Sequence, residues 1–253
     1  MTAVYYQLKI TFLRLIGRNK RFLLVSLLVP IFFYLLFTKV VSVGYTGEAL
    51  QAWKADYLVS MVVYSLVMNA IMMVSSTLVG DRENGFEQFI ALSPLPKWRY
   101  YASMMGTFAG LFELSIASLL VAGYLANGVS FGGIELLAFF VVLPLASLPL
   151  ISLGIMVSLT GSPNTVSGFA NLVVFPMAIM SGLWWPIDSL PTWVQTIGKW
   201  LPPFLMSDLM KRIFQQHTFN YGDALGLFLW FGLLVTLLAG MLRFRQVKGY
   251  QMI

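Results

Sequence analysis

The sequence predicts an all-α protein that crosses a lipid bilayer six times, and three observations predict it. Of its 253 residues 58% are hydrophobic and only 10% charged, with a mean hydropathy of +0.81. A water-soluble domain carries about a quarter charged residues, and water would leave this much apolar side chain in large exposed patches. Six stretches approach the roughly 20 apolar residues needed to cross about 30 Å of hydrocarbon. They are Phe22–Val41, Tyr57–Val79, Tyr101–Leu125, Ile134–Leu159, Thr165–Trp184 and Ala224–Leu242. The basic residues behind the net charge of +6 sit mainly beside these stretches. That placement points to membrane topology, with no nucleic-acid partner expected.

Residues 1–21 come first. Tyr5, Leu8, Phe12, Leu15 and Ile16 share one helical face, and Gln7, Thr11, Arg14, Arg18 and Arg21 lie opposite. A helix of this kind lies in the headgroup plane, its basic face toward anionic lipid. A basic flank that merely fixes orientation is the competing reading. No small-x-small cleavage site follows the first apolar run, so that run reads as an uncleaved span.

Pro144, Pro149 and Pro176 in the fourth and fifth spans are expected as kinks, which bundles in lipid tolerate. Leu201–Phe214 reads as too short and too polar for a span. With the N-terminus inside, Lys9, Arg14, Arg18, Lys20, Arg21, Arg82, Lys97, Arg99, Arg243, Arg245 and Lys248 are cytoplasmic. These are eleven of the sixteen basic residues. Lys39, Lys54, Lys199, Lys211 and Arg212 lie on the other side, which places both termini in the cytoplasm of a plasma-membrane protein.

Between spans two and three runs Gly80–Arg99. Asp81 reads as the N-cap of a short helix, with Glu83 and Glu87 in its early turns. Phe86, Phe89 and Ile90 fall on one face, and Pro94 and Pro96 end the helix. Such a helix either rests its aromatic face on the bilayer or docks in a groove of a soluble partner.

Asp81-Arg82-Glu83-x-Gly85-x-Glu87-Gln88, then Leu92-Ser93-Pro94 and Lys97-x-Arg99, resembles the coupling-helix signature of bacterial ABC-2 type exporter permeases. Where that family usually has a small Thr or Ser after the glycine, this chain has Phe86. A second stretch, Ser181-Gly182-Leu183-Trp184-Trp185-Pro186-Ile187-Asp188-Ser189-Leu190-Pro191-x-Trp193 with Leu201-Pro202-Pro203, is similar to the family's segment after the fifth span. There short re-entrant helices dip into the outer leaflet. An interfacial aromatic belt without a transport role is the alternative.

The resemblance implies one transmembrane domain over 1–253. It divides into an interfacial helix (1–21), spans one and two (22–79), a coupling loop (80–96), spans three to five (101–184), an outer re-entrant segment (185–222), span six (224–242) and a cytoplasmic tail (243–253). It further implies a permease subunit exporting an amphipathic drug, antibiotic, lipid or peptide. The expected partners are an ABC ATPase subunit, a second permease copy (identical or a paralogue) and the lipid bilayer. The implied ATPase contacts are Asp81, Arg82, Glu83, Gly85, Phe86, Glu87 and Phe89, and the implied outer-segment residues are Gly182, Trp185, Pro186 and Pro191. A stand-alone secondary transporter or channel is the alternative, which would want several intramembrane charges or two similar halves. A membrane-embedded enzyme, which would need His, Asp, Glu or Ser converging near one leaflet, is a third class.

No catalytic or metal site is expected. Gly198-Lys199 is followed by Trp200 and does not complete a phosphate loop, so ATP would be bound by the partner, with no cofactor in this chain. Cysteine is absent, and His217 is the only histidine. Metal sites and Ser/His/Asp arrangements therefore lack their parts. Three polar residues stand out inside spans: Glu113 in the third, Asn69 in the second and Asn171 in the fifth. Each either contacts substrate or hydrogen-bonds a neighbouring helix. Gly106 and Gly110 form a small-xxx-small pair that permits close helix contact.

Overall fold

The computed structural model describes residues 20–41, 44–86 and 97–247, with Leu13 and Leu92 as isolated helical positions. The expected interfacial helix over 1–21 and residues 248–253 of the tail lie outside the described residues, apart from Leu13 and Lys20. No strand occurs among the described residues; the architecture is all-helical.

Helix α1 runs over Lys20–Leu35 and continues as a π-helical turn, Leu36–Val40. Helix α2 is continuous over Gly47–Glu83, as Gly47–Met68, a π-helical segment Asn69–Met73, and Val74–Glu83. At 1.5 Å per residue it is about 55 Å long. Glu48 in its first turn complements the positive end of the helix dipole. Ala55 and Tyr57 turn inward there, so helix extends well before the expected start at Tyr57. Nearly all of the apolar stretch of α2 is enclosed by other helices (94%). This is the central pillar of the bundle.

Helix α3 spans Lys97–Asn127. Helix α4, Gly133–Ser158, is broken into Gly133–Leu137, a π-helical turn Ala138–Val142, Leu143–Ala146 and Leu148–Ser158. Pro144 and Pro149 each sit in the first turn of a piece, where a missing N–H costs least. The Ser147 hydroxyl between them donates to the Pro144 carbonyl at 2.6 Å. The expected kinks are therefore real in this span.

Helix α5, Pro163–Met180, ends before the expected Trp184. Gly182 adopts φ +70°, and the N–H groups of Gly182 and Leu183 bond the carbonyls of Ile179 and Ala178 at 3.1 Å. This paired closure with a left-handed glycine stops the helix. A 3-10 turn, Ile187–Ser189, and the short α6, Thr192–Gly198, follow. Helix α7, Pro202–Gln216, carries an apolar face of Leu205, Met206, Leu209, Met210 and Ile213, all buried. The stretch that reads as too polar for a span is thus a helix packed into the bundle, against α2 and α8. Helix α8 covers Tyr221–Val247, so helix continues into the expected tail.

Among the described residues five helices are long and apolar enough to cross a membrane: Gly47–Glu83, Tyr100–Asn127, Gly133–Ser158, Pro163–Met180 and Tyr221–Phe244; Leu24–Val40 is a shorter apolar helix. Helix α8 is only 11% enclosed over its apolar stretch, and Leu225, Phe228, Leu229 and Leu233 project from it. Phe32 on α1, Leu137 on α4 and Leu172 on α5 are exposed in the same way. A surface of this kind requires an apolar solvent. The chain is a multi-pass membrane protein.

Helix α4 packs tightly on α2 at Gly154, where a Cβ would collide with the Ala70 carbonyl of the π-helical segment. Gly154→Ala should therefore lower stability by about 1–3 kcal/mol through forced separation of the two helices. Gly168→Ala on α5, which meets open space, should be neutral or stabilising by up to about 1 kcal/mol. Unfolding of both variants in detergent measures the difference.

Candidate functional site

The segment between α2 and α3 is rooted in a polar lock. Asp81 is fully buried, and its Oδ2 accepts the Tyr100 hydroxyl at 2.6 Å. Asp81 does not cap a new helix: it lies in the last full turns of α2, which ends at Glu83 with Asn84 as its C-cap. Gly85 follows with φ +67°, a conformation that side chains with a Cβ rarely take. A carboxylate this deep is tolerable only with strong hydrogen bonding, and a hydroxyl–carboxylate bond of this length is a charge-assisted one.

The rest of the root is equally well tied. Arg82 donates from Nη1 to the Ser158 carbonyl at the end of α4, at 3.1 Å. That carbonyl is among the unpaired acceptors of a helix C-terminus, where a cation is favoured. Phe86 packs on Tyr100 with ring centroids 5.7 Å apart, and joins a cluster of Met73, Val74, Leu78, Met104 and Phe108. Glu83 is exposed. Of the expected contact residues, Asp81, Arg82 and Phe86 face inward and Glu83 faces outward. Glu87 and Phe89 lie outside the described residues. One end of the bundle thus gathers the ends of α2 and α4 and the start of α3 around a single buried carboxylate.

The intramembrane polar residues divide. Asn69 is buried at the start of the π-helical segment and donates from Nδ2 to Ser115 Oγ at 2.9 Å, bridging α2 and α3. Asn171 bridges no helices among the described residues; its Nδ2 donates to the Ser167 carbonyl of its own helix at 2.8 Å. Glu113 also lacks the expected bond to a neighbouring helix: its Oε2 is enclosed without a hydrogen-bond partner among the described residues. Gly106 and Gly110 lie on the exposed face of α3, and Gly110 meets nothing within 4 Å. Gly110 thus contacts no other helix among the described residues.

At the opposite end, Gly182 is the helix-stopping glycine described above, and Pro191 precedes α6, accepting from Val194 N at 2.9 Å. The Pro186 carbonyl accepts from the Ser189 hydroxyl at 2.7 Å. Trp185 is exposed, as are Trp193 and Trp200, in keeping with an interface. Trp184 departs from that pattern: it stacks on Phe33 at 5.2 Å and meets Tyr64 edge-on at 5.5 Å. Gly198 lets α6 touch the end of α5 at the Met180 carbonyl.

Residues 48–241 match the family described as ABC-2 family transporter protein. The chain belongs to the ABC-2 transporter family. It is 33% identical over 187 residues to the transport permease YvfS of Bacillus subtilis, covering 74% of this chain and 76% of that protein. It is 26% identical over 149 residues to the linearmycin resistance permease protein LnrN of the same organism. It is 25% identical over 164 residues to YbhR of Escherichia coli, named as a multidrug ABC transporter permease. The last two matches cover 58% and 61% of this chain, and only 38% and 42% of the relatives. The relatives of this ABC-2 chain are thus transport permeases, two of them named for resistance or multidrug transport.

Two readouts check this geometry. Tyr100→Phe strips the hydroxyl from buried Asp81 and should lower stability by about 1–3 kcal/mol, whereas Tyr124→Phe on the exposed face of α3 should stay within about 0.5 kcal/mol. A double-mutant cycle of Asn69→Ala and Ser115→Ala should give a coupling of about 0.6–2 kcal/mol. Both are read from denaturant unfolding in micelles.

Proposed function

We propose that this chain is the membrane-spanning subunit of an ATP-driven exporter for an amphipathic substrate, paired with a second permease copy and with a separate ATPase. The observation that carries this reading is the Asp81–Tyr100 lock. A soluble motor that pushes on the α2–α3 connection needs the helices at its two ends to be tied to one another. The buried hydrogen bond, the Phe86–Tyr100 contact and the Arg82–Ser158 bond tie the end of α2 to the start of α3 and the end of α4, so that a push would be shared among the three helices. Coupling of this kind biases packed helices between two arrangements.

The reading counts α1 as a sixth crossing. From Lys20 to Val40 it is about 30 Å long, enough for the hydrocarbon core. Six crossings put both termini on one side, which the Lys/Arg bias assigns to the cytoplasm of a plasma-membrane protein. The α2–α3 connection then faces the cytoplasm, where ATP is, and α6 and α7 form the outer re-entrant segment. Nucleotide chemistry belongs to the partner, and this chain is a transport subunit with no catalysis of its own. Membership of a transporter family whose matched members are permeases supports this, as do the resistance and multidrug names of two relatives.

Co-expression with a phosphate-loop ATPase encoded beside it tests the proposal. Affinity purification of the permease should retain the ATPase, and Glu83→Ala with Glu87→Ala should weaken retention by roughly tenfold, the equivalent of about 1.4 kcal/mol. Undiminished retention in the double variant would remove the segment from the interface.

A further inference from the structure

The contact between α2 and the turn after α5 encloses polar groups that hydrogen-bond nothing. Tyr57 Oη and Tyr64 Oη on α2, and Ser181 Oγ and Trp184 Nε1 on the turn, are enclosed without a hydrogen-bond partner among the described residues. They belong to one region. Trp184 meets Tyr64 edge-on at 5.5 Å, and Tyr57 and Trp184 share the wall of a cavity of about 470 Å³ with Ser60, Gly182 and Leu183. Elsewhere on α2 buried polar groups are met. Ser65 Oγ donates to the Val62 carbonyl at 2.9 Å, and Asn69 bonds Ser115.

An enclosed polar group without a partner carries its full desolvation cost, because no solvent replaces the missing bond. Aromatic packing opposes that cost. Trp184 stacks on Phe33 at 5.2 Å and meets Phe175 edge-on at 5.9 Å. The rings therefore favour a closed contact, and the four polar groups favour one that lets water in. The cavity already reaches the side chains of Tyr57 and Trp184, so a modest displacement of the turn extends it to their polar atoms. A hinge lies next to the turn. Pro176 sits inside α5 and offers no N–H to the Leu172 carbonyl, which leaves the helix ladder one bond short. Beyond it, α6 rests on the Met180 carbonyl through Gly198 and would move with the turn.

We propose that this contact is a gate. Helix α5 pivots at Pro176, the turn over 181–184 leaves α2, and water from the cavity reaches Tyr57 Oη, Tyr64 Oη, Ser181 Oγ and Trp184 Nε1. The arrangement described here is the closed one, packed dry, and the open one satisfies the groups that the closed one leaves unmet. As the outer gate of an exporter this rests on the function proposed above. As a contact with two arrangements it stands on this chain alone.

The test uses the full permease in phosphatidylcholine nanodiscs, without ATPase or nucleotide. The chain has no cysteine, so Ser181→Cys is a single probe for a water-soluble methanethiosulfonate. It should react roughly tenfold or more faster than Ser152→Cys, a buried site on α4 whose hydroxyl bonds the Leu148 carbonyl at 3.1 Å. In the Ser181→Cys background, Tyr57→Phe and Tyr64→Phe keep the rings and remove one unmet hydroxyl each, so each should slow the reaction several-fold. In the cysteine-free chain each should raise the midpoint of thermal unfolding by roughly 2–4 °C, opposite in sign to Tyr100→Phe, whose hydroxyl is bonded. The midpoints decide the matter if Ser181→Cys fails to fold. A midpoint unchanged or lowered in both tyrosine variants, or Ser181→Cys no more reactive than Ser152→Cys, overturns the proposal. Either result leaves ATPase retention untouched, so failure of the gate and failure of the exporter reading remain distinguishable.

Discussion

Helix α2 is the constraint on which the rest of the structure depends. A bilayer supplies no hydrogen bonds, so each crossing must satisfy its own backbone, and helices do this within one segment. A helix with 94% of its apolar stretch enclosed can then be held only by packing against its neighbours. Helices α1, α3, α4, α5 and α7 all lie on it. Its length carries it from the aromatic cavity at Trp53 and Tyr57 to the Asp81–Tyr100 lock at the other end. The two regions with the most distinctive chemistry are thus the two ends of one rod.

The rod is not uniform. The π-helical segment Asn69–Met73 interrupts its hydrogen-bond ladder near the middle, and π-helical turns of this kind concentrate at functional sites. Two contacts hold that segment. Asn69 bonds Ser115 of α3, and Gly154 lets the α4 backbone close on Ala70. The π-helical stretch of the central helix is therefore held from two sides, by α3 and by α4. In α4 the interruptions differ in kind: Pro144 and Pro149 split the helix outright, and its pieces conform to α2.

Much of this was legible in the sequence, because hydropathy over about twenty residues reports the solvent a helix sees. Spans three, four and six fall within a few residues of the expected bounds. The misses have local causes. Glu48, Lys54 and Asp56 hid the first turns of α2, although Ala55 and Tyr57 beside them are buried. Asp81 read as a helix cap because its partner, Tyr100, is 19 residues away and nothing local announces it. Leu205, Met206, Leu209, Met210 and Ile213 carry a helical period in plain view, and that signal would have found α7 as a packed element. Asn69 and Asn171 look equivalent along the chain, yet one bridges helices and the other caps back on its own. The difference lies in how each helix is rotated, which only tertiary packing decides.

Because the chain has no cysteine, a spin-label pair at Glu48→Cys and Asn84→Cys, both exposed, reports the length of α2 directly. Samples diluted with unlabelled protein would exclude distances between copies. Pulsed electron paramagnetic resonance should give one narrow distance near 50 Å, unchanged when the proposed ATPase partner is added with ATP. A second, shorter population appearing with nucleotide would mean that α2 breaks at Asn69–Met73, and the account of a single rod joining lock and cavity would be wrong.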